Sequence, residues 1–322
     1  MHLAFLLTNG FVARMVLRTD VVRRLGTEGA QVTLMSPNAN ETYFQRECQT
    51  ADVALLQAPK AVGRLAQWFR VYRPYLLDDV LHNAALRAGH ARRFESRPVL
   101  GFSAAALNRS LARWPLFRRM SRGVERRVNR SASVRALLHE VRPDLLVLPN
   151  PFGAEETLYL LHAKELGIPV VCQMLSWDNI TSKGTPLLMP DSFISWGPIM
   201  TEELVKLYHF PKERIHECGV PHFDVYSQKD QLTPRDLLLS ELHLSPKLPY
   251  LFYGMVTGIH CPNELAILTW LAEQINRDAF ALPCSLIIRP HPQTISGLYA
   301  RSAGELDALK ALTGPRVVLD IP

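Results

Sequence analysis

The sequence predicts an α/β fold made of two parallel-sheet domains in series, the second of them short. Three observations lead there. Short, wholly apolar runs such as "LAFLLT", "DLLVLPN", "IPVVCQML" and "SLIIRP" recur along the chain, as expected of strands buried on both faces. Between them lie longer segments with apolar residues at helical spacing. The alternation lapses around Gly219-Val220-Pro221 and then resumes. With 322 residues, 48% of them hydrophobic, the chain can build one or two cores.

In chain order, "LAFLLT" is the first strand and Gly10 turns the chain. A helix through "ARMVLRTDVVRRLGTEG" ends near Gly26 or Gly29, and "QVTLMSP" is the next strand. This β-α-β unit implies a parallel sheet. "DVALLQAP" reads as a third strand, and residues 61–140 as a basic helical segment. Strand and helix then alternate: "DLLVLPN", "AEETLYLLHAKELG" closed by Gly167, and "IPVVCQML". "DSFISWG" is a further strand, "PIMTEELVKLYHF" a helix with Pro198 at its start, and "RIHECG" a strand. The polar, proline-containing stretch 220–235 divides a first domain, residues 1–222, from a second, 223–322. The second holds the strands "PYLFYGM", "SLIIRP" and "RVVLD" and the helices "NELAILTWLAEQINRDA" and "AGELDALKALTG". Three strands offer little sheet to two helical layers, so this domain is expected to be a small appendage or incomplete.

Thirty-six basic residues against 30 acidic ones give a net charge of +6, which favours anionic partners. Five cysteines are dispersed with no metal-like spacing, a pattern that fits a reducing cytosol better than a disulfide framework. No apolar run approaches the ~18 residues of a membrane span. The opening "MHLAFLLTNG" lacks a basic n-region and reads as a strand, not a signal peptide. Gly-x-Ser-x-Gly, His-Glu-x-x-His, Walker and Asp-x-Asp patterns are absent, so no metal is expected. Thirteen arginines crowd residues 87–135, opposed only by Glu95 and Glu125 and interleaved with Trp114, Leu116 and Phe117. This segment is either a solvated helical face or a seat for an anionic membrane surface. No RNA-binding motif accompanies it, and nucleic acid is not expected as a partner.

In parallel α/β sheets, ligands bind beyond the carboxyl ends of the strands, which directs attention to the loops found there. "SWDNITSKG" follows "IPVVCQML" and offers Asp178 and Asn179 to orient hydroxyls and Lys183 to hold a phosphate. Alternatively it is a capped turn in which Asp178 and Asn179 bond their own backbone and Trp177 packs as core. "RPHP" stiffens its loop with two prolines and holds Arg289 and His291 toward one point, suited to a pyrophosphate, or else is a stiff surface turn. "GMVTGIH" lies between a strand and a helix whose N-terminus attracts phosphate. "TNGF" places Gly10 in a comparable turn. "GVPHFDVY" puts His222 and Asp224 at the break, facing a cleft or forming a linker with Asp224 as a cap.

With "SWDNITSKG", the Gly-x-Pro-x-x-Asp of "GVPHFD" and "IIRPHP" in this order, the chain resembles bacterial glycosyltransferases of the two-Rossmann-domain (GT-B) architecture. The branch also holds CDP-glycerol glycerophosphotransferases and UDP-N-acetylglucosamine 2-epimerase-like proteins. The likeness covers the chain from about residue 141 onward and is topological before it. It implies transfer of a sugar from a nucleotide-sugar donor to a surface-polysaccharide or lipid-linked acceptor, with no cofactor beyond that co-substrate. It also implies a cytoplasmic protein, peripheral on the inner face of the membrane. Thr257, Gly258, Arg289 and His291 would then serve the donor. Gly10, Asn179, Lys183 and Asp224 would line the acceptor side of a cleft, with Asp178 and His222 as the candidate bases. Glycerophosphotransferases of this branch carry a histidine before Gly-Thr-Pro-Leu, where this chain has Lys183. Relatives also continue beyond a strand like "RVVLD", so the second domain is expected to lack its end. An epimerase, a glycerophosphotransferase and a non-catalytic binding protein are the alternatives.

Overall fold

A computed structural model of the chain describes residues 1–50, 53–111, 113–227, 232–257, 261–295 and 304–321. The chain divides into two compact units, Met1–Ser227 and Gln228–Pro322.

The first unit opens with β1 (His2–Leu6), α1 (Gly10–Leu17), α2 (Val21–Thr27), β2 (Gln31–Ser36), α3 (Thr42–Thr50) and β3 (Leu55–Gln57). A helical stretch follows: α4 (Arg64–Leu77), α5 (Ala84–Arg93), α6 (Pro98–Leu111), α7 (Pro115–Val128) and α8 (Ala132–Val141). The chain returns to the sheet with β4 (Leu145–Leu148), α9 (Ala154–Glu165), β5 (Val170–Gln173), α10 (Asn179–Ser182), β6 (Ser192–Ser195), α11 (Pro198–Tyr208) and β7 (Ile215–Glu217). A 3₁₀ turn, Pro221–Ser227, closes the unit.

Among the described residues these strands form one seven-stranded sheet in the order β3-β2-β1-β4-β5-β6-β7. Every pairing is parallel; Ala4 of β1, for example, pairs with Thr33 on one side and Leu146 on the other. Side chains alternate across the pleat, so each central strand feeds two cores. Ala4, Leu6, Leu146, Leu148 and Cys172 pack with α8, α9 and α11 through Leu138, Tyr159, Leu160 and Leu204. Leu3, Phe5, Leu7, Val147 and Val171 pack on the opposite face with α1, α2 and α3 through Val12, Val16, Val22 and Phe44. The chain proceeds outward from β1 to β3, then crosses back to β4 on the other side of β1. The carboxyl ends of β1 and β4 therefore flank a crevice, the place where such sheets bind ligands.

The segment expected as one helix from Ala13 to Gly29 is two. The Thr19 hydroxyl donates to the carbonyls of Met15 (3.0 Å) and Val16 (3.3 Å), and the helix ends there before restarting at Val21. The helical stretch carries a buried ion pair between α4 and α7. Arg73, 4% exposed, donates from Nη2 to Glu125 Oε1 at 2.6 Å and from Nε at 2.8 Å, with Glu125 1% exposed. Arg73 also reaches the Phe152 carbonyl (3.4 Å) and the Thr157 hydroxyl (3.3 Å), which ties the helical stretch to the turn after β4.

The second unit contains α12 (Arg235–Glu241), β8 (Tyr250–Gly254), α13 (Glu264–Asn276), β9 (Ser285–Arg289), α14 (Pro292–Ile295), α15 (Glu305–Ala311) and β10 (Val317–Leu319). Its described strands form a parallel sheet in the order β10-β9-β8. Leu286 and Ile288 face Leu268, Ala272, Ile275 and Leu309 on one side. Ile287 faces Leu239 and Leu244 on the other. The molecule is α/β, two parallel-sheet units of Rossmann-like build.

Candidate functional site

The loop after β5 is held rigidly, and its anchors decide which side chains are free. Asp178 accepts hydrogen bonds from the hydroxyls of Ser176 and Ser182, the latter at 3.2 Å, so its carboxylate is engaged inside its own turn. The Tyr208 hydroxyl donates to the carbonyls of Ile180 (2.7 Å) and Gly184 (2.9 Å), and Asn83 Nδ2 donates to that of Thr181 (2.7 Å). The backbone N–H of Thr185 donates to Asp78 Oδ2 at 3.0 Å. Gly184 permits this closure. Its φ is +73°, and a Cβ there would lie 2.6 Å from Asp78 Oδ2. Burial pushes the Asp78 carboxyl up from its ordinary range, against the pull of the hydrogen bonds from Thr185. Trp177, expected in the core if this were a capped turn, is 68% exposed.

With the loop fixed, Asn179, Ser182 and Lys183 line a cavity of about 630 Å³ in the first unit. The cavity lies at the carboxyl ends of β1 and β4, the predicted crevice. Thr8 and Asn9 enter it from the turn after β1, and Asn150 and Gly153 from the turn after β4. Asn9 caps α1 by accepting from the backbone of Phe11 (3.0 Å) and Val12 (3.2 Å). Gln67, Arg70 and Arg73 reach the cavity from α4, and Arg93 from the last turn of α5. The Arg93 guanidinium lies over the Tyr72 ring at 4.9 Å and near the Tyr75 ring at 5.9 Å.

Two carboxyls at the start of α9 also line the cavity, Glu155 and Glu156. Glu156 Oε1 accepts from the Thr8 hydroxyl (2.9 Å) and from Asn150 Nδ2 (3.3 Å), which joins the turns after β1 and β4. Gly153 makes room for it, since a Cβ there would overlap Glu156 Oε2 at 1.7 Å. Burial raises the Glu156 carboxyl above its ordinary value. Burial and the neighbouring Glu156 raise Glu155, while Lys60 and Arg70 oppose the rise.

The other expected residues lie elsewhere. Gly10 is the first residue of α1, one position beyond Asn9 of the cavity lining. His222 sits in an aromatic cluster, with ring centroids 4.2 Å from Phe223, 5.8 Å from Phe11 and 6.1 Å from Trp196. Burial and the nearby Arg14 charge lower its pKa, and its Nδ1 has no hydrogen-bond partner among the described residues. Asp224 is exposed on the same 3₁₀ turn.

In the second unit, Thr257 lies past β8 with its hydroxyl buried and unpartnered among the described residues. The buried Glu264 at the start of α13 pins this loop by accepting from the Val256 N–H at 3.0 Å. Gly258 falls outside the described residues. Arg289 donates from Nε to Asp320 Oδ2 at 2.7 Å and stacks over Phe252 at 5.3 Å, so its charge is directed at the carboxylate beyond β10. His291 opens the turn into α14, its carbonyl accepting from the Ile295 N–H at 3.2 Å.

The structure thus gathers Asn179 and Lys183 with residues that the sequence reading did not single out: Arg70, Arg93, Asn150, Glu155 and Glu156. "PNPFGAEE" carried a signal for the last two, since two acids open a helix directly past a buried strand. Nothing local marks Arg70 or Arg93 among the many arginines of the helical stretch.

Solved structures share this fold. A glycosyltransferase from Rickettsia africae ESF-5 superposes with a TM-score of 0.52 at 10% identity, covering 99% of this chain and 68% of its own. A UDP-GlcNAc 2-epimerase from Methanocaldococcus jannaschii, in complex with UDP-GlcNAc and UDP, gives 0.54 at 12% identity over 100% of this chain and 74% of its own. MnaA of S. aureus, solved with UDP, gives 0.55 at 8% identity over 100% and 68%. The fold is GT-B-like, the architecture of glycosyltransferases and UDP-GlcNAc 2-epimerases. No protein-family model and no curated protein matches the sequence.

Proposed function

We propose that the chain is an enzyme that moves a sugar from a nucleotide-sugar donor to a carbohydrate or lipid-linked acceptor of surface-polysaccharide assembly. The observation that carries this reading is the cavity at the β1–β4 crossover, lined by amides, hydroxyls and cations suited to a polar carbohydrate. It is supported by the fold shared with enzymes solved with UDP-GlcNAc and UDP. The first unit takes the acceptor through Asn179 and Lys183, with Gly10 and Asp224 on the same side. The second takes the donor through Thr257, Gly258, Arg289 and His291.

Breaking a sugar–phosphate bond builds charge on the leaving diphosphate, and fixed cations stabilise that charge selectively in the transition state. Arg289 supplies such a cation, with His291 and the N-terminus of α13 as hydrogen-bond donors. His222, outside the cavity lining and with its pKa lowered by burial and the Arg14 charge, is the proposed base for the acceptor hydroxyl. Asp178, held by two serine hydroxyls, is the second candidate. The protein works in the cytoplasm at the inner membrane face. The exposed Phe102, Leu116, Met120 and Val124 of α6 and α7, set among arginines, supply a surface for anionic lipid.

The test is to offer UDP-, CDP- and GDP-sugars with and without acceptor and to follow the nucleotide. Free nucleoside diphosphate that appears only with acceptor supports transfer. Release of CMP from CDP-glycerol indicates glycerophosphate transfer, and isomerisation without acceptor indicates epimerisation. No saturable nucleotide binding would leave a non-catalytic protein of the same fold.

A further inference from the structure

We infer that the first-unit cavity is built for an anionic acceptor, a carbohydrate bearing a phosphate, gripped by Arg70, Arg93 and Lys183. The inference rests on the acceptor role proposed for this cavity and names the acceptor's chemical class.

Three elements far apart in sequence each deliver a cation to one cavity: Arg70 from α4, Arg93 from α5 and Lys183 from the end of α10. Among the described residues no carboxylate lies within ion-pair distance of any of them. Arg73, one helical turn from Arg70, shows the contrast. Its charge is met by the buried Glu125 at 2.6 Å, so the fold neutralises the arginine it uses as structure. An anion bound in this cavity gains charge-assisted hydrogen bonds from donors on three elements.

The acids in the lining answer this charge only in part: Arg70 acts on both Glu155 and Glu156, and neither is within reach of Arg93 or Lys183 as an ion pair. Glu156 is committed to Thr8 and Asn150. Burial also disfavours the charged forms of both Glu155 and Glu156. Arg93 has its guanidinium held in place, and Lys183 its backbone. Arg93 is fixed over Tyr72 and Tyr75, and the Tyr75 hydroxyl is itself hydrogen-bonded to His90 Nδ1 at 2.9 Å. Lys183 belongs to a loop anchored by Tyr208, Asn83 and Asp78. The Arg93 guanidinium, already oriented in this way, favours anion binding. The cations share the cavity with Gln67 and Asn179, partners for the hydroxyls of a sugar, and with Thr8, Asn150 and Ser182, whose polar groups already bond within the protein. A volume of about 630 Å³ accommodates a sugar phosphate.

The phosphate can belong to a soluble sugar phosphate or to a polyprenyl-phosphate carrier. Titration calorimetry on the full chain tests the shared chemistry and separates the sources. The probes are glucose 1-phosphate, glucose, inorganic phosphate and a short-chain polyprenyl phosphate in neutral detergent. Saturable binding of a phosphorylated probe but not of glucose is expected, weakening steeply with added salt. Arg70→Gln, Arg93→Gln and Lys183→Gln should each lower that affinity by about tenfold, while Arg93→Lys, which keeps the charge and loses the ring stack, falls between. Thermal unfolding and UDP titration of each variant identify folding failures. Tighter binding of the sugar phosphate or of the polyprenyl phosphate names the source. Equal affinity for glucose and glucose 1-phosphate, or folded variants that bind the phosphorylated probes like the parent, would overturn the inference. Nucleotide-dependent transfer to neutral acceptors alone would also overturn it and leave the transferase reading standing. Phosphate binding with no reaction of any nucleotide sugar would do the reverse.

Discussion

At the scale of single residues, the cavity is framed by ionisable groups whose charge is managed in opposite ways. Arg73 and Glu125 are buried together, and neither has water to fall back on. Arg73→Met should therefore cost about 3–5 kcal/mol, because Glu125 is left buried without its partner. Replacing both by apolar residues of similar size should recover most of that loss. Urea unfolding of the full chain measures both. A single variant no less stable than the parent would show that water reaches Glu125. Glu156 is met by hydroxyl and amide donors instead. Burial raises its pKa from the ordinary 4.5, so the native state holds a proton more tightly than the unfolded chain. Its contribution to stability is then fully present below 4.5 and is lost as pH rises through the elevated native value. Glu156→Gln keeps an oxygen to accept from Thr8 and Asn150 and has no charge to desolvate. The variant should gain on the parent as pH rises from acid to neutral. Parallel stability curves over that range would mean that Glu156 ionises as freely as an exposed carboxyl.

At the scale of elements, α6 and α7 are the part of the first unit with the least evident structural reason for its surface. Phe102 is 78% exposed, and Leu116, Met120 and Val124 follow one another at four-residue spacing on α7, with Arg119, Arg126 and Arg127 also exposed. An apolar stripe bordered by arginines suits a helix lying in an anionic interface, where each basic residue contributes about 1 kcal/mol. The full chain should co-sediment with phosphatidylglycerol vesicles and not with phosphatidylcholine vesicles. Arg119→Glu with Arg126→Glu should weaken sedimentation by at least tenfold, and Leu116→Ser with Met120→Ser should weaken it further. Binding to both lipids alike, or indifference to the arginines, would contradict the assignment. The helical stretch was legible as helix because its apolar spacing is local. The break at Arg18–Asp20 was not, because it depends on one hydroxyl of Thr19 turning back onto two carbonyls, which periodicity does not register.

At the scale of the whole molecule, the strands were legible because a parallel sheet buried on both faces demands runs without polar interruption, as in "DLLVLPN" and "SLIIRP". The cavity's position followed from the same logic, since the loops past β1, β4 and β5 must share one edge. Its charge did not, since Arg70 and Arg93 reach it only through the packing of helices against a sheet remote in sequence. Separate cores in the two units lead to the last prediction. If the second unit binds the nucleotide diphosphate through Arg289, then Asp320, which pairs with that guanidinium, competes with the phosphates. Arg289→Gln should weaken UDP binding by about tenfold, whereas Asp320→Asn should tighten it by about two- to fivefold, the modest effect of a pair whose guanidinium is half exposed. Lys183→Gln and Arg70→Gln, in the other unit, should leave UDP affinity within about twofold, the result expected of a donor site built from the second unit alone. Titration of UDP into each full-length variant decides the matter. Weaker binding in Asp320→Asn would make the pair a structural clasp of β9 and β10 and would remove Arg289 from the donor site.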